Sequence, residues 1–303
     1  MLLLLSAGCV PEIGPPQSLL VAPRILAVRV EPPEVAPGDV ARLTLYAAEP
    51  GNALSANSEA ALRSSQWALC LSPKPPVDNN FISERCLHDD SAVSALSARG
   101  TQVDVTVPLD ACALFGPQTP PQPPGQPPAR PREPDTTLGY YQPVRVRVPE
   151  LGLTALAGVR ILCGLPSATP ELAAAYRMQY VPNRNPEILA LEASDGDSPL
   201  PLQRLPAGAK ITLRLTPQQG SAESFVLASP GDQSLSTQQE ALRVSWFADQ
   251  GSYDRATTMS DVQGAAIPND WTAPSVPGTV LLFAVLRDSR GGVAVLQQTV
   301  QVQ

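Results

Sequence analysis

Side chains that carry covalent or acid–base chemistry are scarce in this chain. Its 303 residues include a single histidine, His88, set in Cys86-Leu87-His88-Asp89-Asp90. A Ser-His-Asp or Cys-His site would have to use it, yet no G-x-S-x-G turn or comparable nucleophile loop is present. His88 reads instead as an exposed loop residue. One imidazole also excludes a histidine-rich zinc or copper site. Carboxylates leave one other route, since a pair of them serves a glycosidase without histidine. Asp195-Gly196-Asp197-Ser198, or Asp249 with Asp254, could supply oxygen ligands for calcium. Neither matches the D-x-D-x-D-G-x5-E loop, and polar turns account for both. Asp288 and Arg290 flank a glycine hairpin, where turn chemistry is sufficient. No catalytic residue, metal or cofactor is assigned.

The cysteines say more. Beyond Cys9 there are Cys70, Cys86, Cys112 and Cys163, none spaced as C-x-x-C, which argues against a thiolate zinc site or a redox motif. An even count in an exported chain reads as two disulfides. On the strand Gln66–Cys70, Trp67 and Leu69 point to one face and Cys70 to the other, so Cys70 is not placed as an inward inter-sheet cysteine. The pairing expected is Cys70–Cys86, stapling a polar excursion, and Cys112–Cys163, bracketing a Pro-rich insertion. Cys70–Cys163 with Cys86–Cys112 is the alternative.

The elements that position these residues are strands. Thirty-five prolines are far above the usual share of about 5% and argue against a largely helical protein. Pro23–Val30 reads as a strand, stopped by Pro32-Pro33. A turn at Ala36-Pro37-Gly38-Asp39 leads into the alternating Val40–Ala47. The same opening recurs, with Pro186–Leu191, then Leu205-Pro206-Ala207-Gly208, then Lys210–Leu215. A Trp strand follows each copy, at Gln66–Cys70 and at Leu242–Ala248, giving one core marker apiece, Trp67 and Trp246. A diverged repeat of this length predicts an all-β chain of two immunoglobulin-like β-sandwiches in tandem.

The boundaries expected are 23–168 for the first sandwich, with a Pro-rich insertion at about 113–138, and 183–303 for the second. A short helix over 169–182 joins them, with Thr169 as N-cap, Pro170 in the first turn and Glu171 at the positive end of the dipole. The last pair of strands, Val280–Asp288 and Val293–Val295 with Gln297–Val302, turns through Ser289-Arg290-Gly291-Gly292. Net charge is −7 with scattered basic residues, so no nucleic-acid footprint exists.

Two resemblances add to this reading. Leu2-Leu3-Leu4-Leu5-Ser6-Ala7-Gly8-Cys9 looks like the end of a bacterial lipoprotein signal. It implies that 1–8 is a signal remnant whose true start lies upstream, that Cys9 is lipidated, and that 9–22 is a flexible tether. Val10 after the cysteine is similar to outer-membrane rather than inner-membrane sorting. Val244–Ala248 with Gly251-Ser252-Tyr253-Asp254, the W-x-A-P at Trp271 and the R-D-S-R-G-G turn resemble bacterial Ig/PKD-like domains. With Pro182-Asn183-Arg184-Asn185-Pro186 and the lipobox, the whole chain resembles uncharacterised outer-membrane lipoproteins of myxobacteria. That family implies no catalytic residues. The function expected is non-enzymatic binding or scaffolding in the cell envelope, with an envelope protein or a polysaccharide as partner. The rivals are a carbohydrate-binding module, with Trp271 as its candidate ring, and a carbohydrate-active hydrolase on the same scaffold.

Overall fold

The computed structural model describes residues 14–51, 54–73, 82–118, 125, 139–229, 233–260, 262 and 264–303. Cys9 and most of the Pro-rich insertion lie outside the described residues. The first half runs β1 (Arg24–Glu31), β2 (Glu34–Val35), β3 (Val40–Ala48), α1 (Ala56–Arg63), β4 (Gln66–Cys70), α2 (Arg85–His88), β5 (Val93–Arg99), β6 (Gln102–Thr106), α3 (Ala111–Phe115), β7 (Tyr140–Val148) and β8 (Leu153–Ile161). Helix α4 (Pro170–Gln179) follows.

The second half runs β9 (Ile188–Asp195), β10 (Ser198–Leu200), β11 (Lys210–Pro217), β12 (Ser224–Ser229), β13 (Ser234–Gln239), β14 (Leu242–Ala248), β15 (Ser252–Tyr253), β16 (Thr257–Ser260), β17 (Ile267–Thr272), β18 (Gly278–Arg287) and β19 (Val293–Val302).

Each half is a sandwich of two sheets. In the first, β1-β3-β6 faces β2-β8-β7-β4-β5. The opening strand changes sheets at Pro32-Pro33: β1 is antiparallel to β3, whereas β2 is parallel to β8. Proline, which donates nothing to a ladder, suits such a crossing. The second sandwich repeats the device. There β9 is antiparallel to β11 in the sheet β10-β9-β11-β17-β15, and Leu205 then bridges in parallel to Val302 of the sheet β16-β14-β18-β19. Such a sheet-switching first strand in a two-sheet, mainly antiparallel sandwich is immunoglobulin-like architecture.

Alternation along the strands builds the cores. Trp67 packs with Leu43, Leu45, Val103 and Val146 in the first, and Trp246 with Leu213, Trp271, Leu282 and Val244 in the second. Both indole N–H groups are satisfied, Trp67 Nε1 donating to Gly100 O and Trp246 Nε1 to Thr258 Oγ1, each at 2.8 Å. Cys70 is bonded to Cys86 and Cys112 to Cys163, with Cα atoms 5.6 Å apart in both pairs. Cys70 and Cys86 lie with Ala92 in a small cluster away from the Trp67 core.

The halves are not beads on a string. One face of β1 and β3 fills the first core, while Leu26, Ala27 and Ala48 on the opposite face pack against Leu281, Phe283 and Val285 of β18. The other face of β18, including Val280, Leu282, Ala284 and Leu286, fills the second core. Side chains of the second half also cap the open edge of β1: Arg287 Nη2 donates to Leu26 O at 3.0 Å, and Asn185 Nδ2 to Val30 O at 2.7 Å. This covers an edge that would otherwise be free to pair with another chain.

Two elements differ from expectation. The span 9–22 is not a free tether throughout. Ala248 N donates to Ser18 O at 2.9 Å and Leu20 N to Ala248 O at 2.8 Å, so Ser18–Leu20 lie alongside the end of β14 in a parallel bridge. Leu20 is buried in the inter-sandwich cluster. The second difference is a two-stranded sheet, β12-β13, placed between β11 and β14. Helix α4 packs on it through Leu172 and Tyr176 against Val226 and Ala228.

Two substitutions test this packing. Trp246→Ala should lower stability by about 3–5 kcal/mol in denaturant unfolding, and a loss under about 1 kcal/mol would place the ring outside the core. Phe283→Asp puts a lone carboxylate between the sandwiches, where it cannot be desolvated cheaply. Calorimetry should show unfolding split into two transitions, and a single unshifted transition would mean that this face is not buried.

Candidate functional site

The densest group of buried charge sits where β2, β7, β8, the linker after α4 and the β18–β19 hairpin converge. It begins on neighbouring strands: Glu34 of β2 is the register partner of Arg160 of β8, and Arg160 Nε donates to Glu34 Oε1 at 2.9 Å. Both side chains are 2% exposed. The linker completes the Glu34 carboxylate. The Tyr180 hydroxyl donates to Oε1, and Asn183 N donates to Oε2 at 2.9 Å. Burial raises the Tyr180 hydroxyl well above the ordinary tyrosine range, and the Glu34 charge adds to this, so it remains a donor.

Asn183 passes the network on. Its Nδ2 lies 3.4 Å from both oxygens of Asp288. Asp288 in turn accepts from Arg290 N and Gly292 N, each at 2.8 Å. The carboxylate thereby fixes the hairpin turn. Turn chemistry accounts for Asp288 but not for Arg290, whose side chain is 1% exposed. Its Nε donates to Glu240 Oε1 at 2.6 Å, its Nη2 to Glu223 Oε2 at 2.9 Å and its Nη1 to Val181 O at 2.9 Å. The guanidinium lies 5.0 Å over the Phe225 ring. Glu240 Oε2 accepts from Glu223 N at 2.7 Å, and Arg184 Nε donates to Glu223 Oε1. Tyr141 joins the two parts, donating to Arg290 O at 3.0 Å and accepting from Arg160 Nη1 at 3.3 Å.

Glu223 and Glu240 are a pair of carboxylates of the kind that could do acid–base work. Burial, with Asp288 adding to it, pushes Glu240 up to about 7. Burial also raises Asp288. But each oxygen of Glu223 and Glu240 already accepts a bond from the chain. The arrangement is a strut between elements. Removing one partner of such a group typically costs about 3–5 kcal/mol, because the other is left charged and buried.

The residues singled out from sequence lie elsewhere. His88 is exposed at the end of α2. Asp195 ends β9 and Asp197 lies in the turn to β10. Asp249 is buried and accepts from Leu281 N at 2.9 Å and Gly51 N at 3.2 Å, while Asp254 pairs with Lys210 at 2.7 Å. These acids are therefore not brought together. Among the described residues, no three His, Cys, Asp or Glu side chains are grouped to hold a metal. Trp271 is fully buried in the second core, with its Nε1 donating to Gln250 O at 3.3 Å, so it offers no ring to a glycan. Cys9 lies outside the described residues.

Glu34, Arg160, Asn183, Glu223, Glu240 and Arg290 carried no sequence signal of this role. Arg160 alternates with Val159 and Ile161, which marks an outward position, and outward ordinarily means solvent.

No protein-family model and no curated protein matches the chain. Among solved structures, the D00-D0 domains of intimin align at 10% identity with a TM-score of 0.24, over 94% of this chain and 100% of that one. The D0-D1 domains of intimin align at 10% identity with a TM-score of 0.23, over 92% and 98%. Escherichia coli alpha-2-macroglobulin in its native conformation aligns at 8% identity with a TM-score of 0.25, over 93% of this chain and 17% of that one. The architecture assigned above stands on the sheets themselves.

The raised Glu240 carboxyl sets a pH dependence. Between its ordinary value of 4.5 and about 7 the folded state holds a proton that the unfolded state has lost. This group's contribution is therefore fully present below 4.5 and fades as pH rises to about 7, by about 3 kcal/mol. Glu240→Gln should flatten that slope in denaturant unfolding measured from pH 4.5 to 7.5. An unchanged slope would assign the proton elsewhere.

Proposed function

We propose that this chain is an outer-membrane protein anchored by a diacylglycerol on Cys9, whose two Ig-like sandwiches form one rigid, non-enzymatic body for binding or scaffolding in the envelope. The carrying observation is the junction. The carboxylates best placed for acid–base work are bonded on every oxygen and serve to hold the sandwiches and linker together. Two disulfides fit an oxidising compartment outside the cytoplasm. Among the described residues no helix is long and apolar enough to cross a membrane, and acylation is the membrane contact this reading supplies. The resemblance to myxobacterial lipoproteins with tandem Ig/PKD-like domains belongs to the same proposal. Its partner is an envelope protein or a polysaccharide.

Cys9→Ala, expressed with a complete export signal, should move the protein from the membrane to the soluble fraction. Membrane retention of that variant in high salt would sink the anchor. Crosslinking of the lipidated protein in its native envelope distinguishes the roles. A stoichiometric protein partner favours scaffolding, whereas recovery with polysaccharide alone favours glycan binding.

A further inference from the structure

A cleft of about 380 Å3 opens along the seam between the sandwiches, within the range of about 300–1,000 Å3 usual for small-molecule sites. Ile25–Val28 of β1 form one wall and Ala155–Gly158 of β8 another, and Val293 and Arg287 close it from the second sandwich. Its lining side chains are aliphatic apart from the Arg287 guanidinium and the Tyr141 ring, and polar atoms share its exposed surface with apolar ones. The small side chains of Ala155, Ala157 and Gly158 leave β8 without bulk to fill the space.

Arg287 is out of balance with its surroundings. It is half-buried, and its contacts are neutral: Leu26 O at 3.0 Å and Ser245 Oγ at 3.4 Å. Directly opposite in the β14–β18 register stands Arg243, and like charges facing each other across strands are destabilising. Among the described residues neither arginine has a carboxylate within ion-pair distance. Burial, with Arg243 adding to it, pushes Arg287 down to about 10. In a chain of net charge −7, two adjacent cations without an acid are a place where an anion would be gained at little cost.

We propose that this seam cleft binds a single-chain anionic amphiphile of the fatty-acid class, its carboxylate on the Arg287 guanidinium and its acyl chain along the aliphatic walls of β1 and β8. A guanidinium presents a planar fork that matches a carboxylate, and the aliphatic lining matches an unbranched chain. The site is independent of how the protein is anchored, because every residue it uses lies in the two sandwiches.

Dodecanoate, kept below its micellar concentration, and dodecanol, its uncharged counterpart, are the probes. Calorimetric titration of the whole protein should show dodecanoate binding at least tenfold more tightly than dodecanol. Arg287→Gln should remove that preference and leave dodecanol unchanged, with near-UV circular dichroism confirming the fold. Ala157→Phe touches no charge and should abolish binding of both by filling the cleft, which keeps the test decisive if the arginine variant does not fold. Absence of dodecanoate binding to the unaltered protein, or equal binding to Arg287→Gln, would overturn the proposal. So would full binding to Ala157→Phe.

Discussion

A strand with two apolar faces must find cover on both. β18 reads Gly-Thr-Val-Leu-Leu-Phe-Ala-Val-Leu-Arg, without the alternation that a half-solvated antiparallel strand shows. Its inward face meets the second core, as any sandwich would provide. Its outward face, centred on Phe283, has no cover within its own domain. The first sandwich supplies it with the outer faces of β1 and β3, and the rest of the arrangement follows. The edge of β1 lies within reach of Arg287 and Asn185. The linker after α4 is brought against β2, and the β18–β19 hairpin comes under Tyr141.

Once the apolar seam sets that geometry, the buried charges at the junction become intelligible. Burying an ion pair is weak grounds for net stability, and a hydrophobic seam would hold without it. What the network adds is direction. Glu34 accepts from the neighbouring strand and from the linker, and Arg290 reaches two glutamates and a linker carbonyl. Each of these bonds has angular demands that apolar packing lacks. The seam sets that the halves meet, and the polar groups set the rotation at which they do so.

Much of the fold was legible in the sequence, because it depends on local periodicity. The alternation in β3, β6 and β7, the repeat of the opening strand, and the Trp on β4 and on β14 all mark positions whose burial is decided within one sandwich. The helix over α4 was equally clear from its cap and its alanines. The β12–β13 sheet was not, since β12 is one short apolar run, Phe225–Ala228, and its Ser- and Gln-rich partner β13 has little apolar pattern to read. Ser18–Leu20 left no trace either, its role resting on two backbone bonds and one buried leucine. The junction was illegible for a different reason. Arg160 and Glu34, like Arg290 and Glu223, are far apart in the chain. Charged residues at outward positions look the same whether water or another domain lies beyond them.

The bridge between Ser18–Leu20 and Ala248 also imposes an order in time. A chain is made from its N-terminus, and domains generally form as they emerge. The partner of Ser18–Leu20, Ala248 of β14, is not made until most of the chain has been. Until β14 and β18 arrive, the first sandwich can close its own core but must leave Leu20, Leu26 and Ala48 facing water. The nascent protein therefore passes through a stage with a complete first core and an uncovered apolar flank. The second sandwich ends that stage by covering the flank and by capturing Ser18–Leu20.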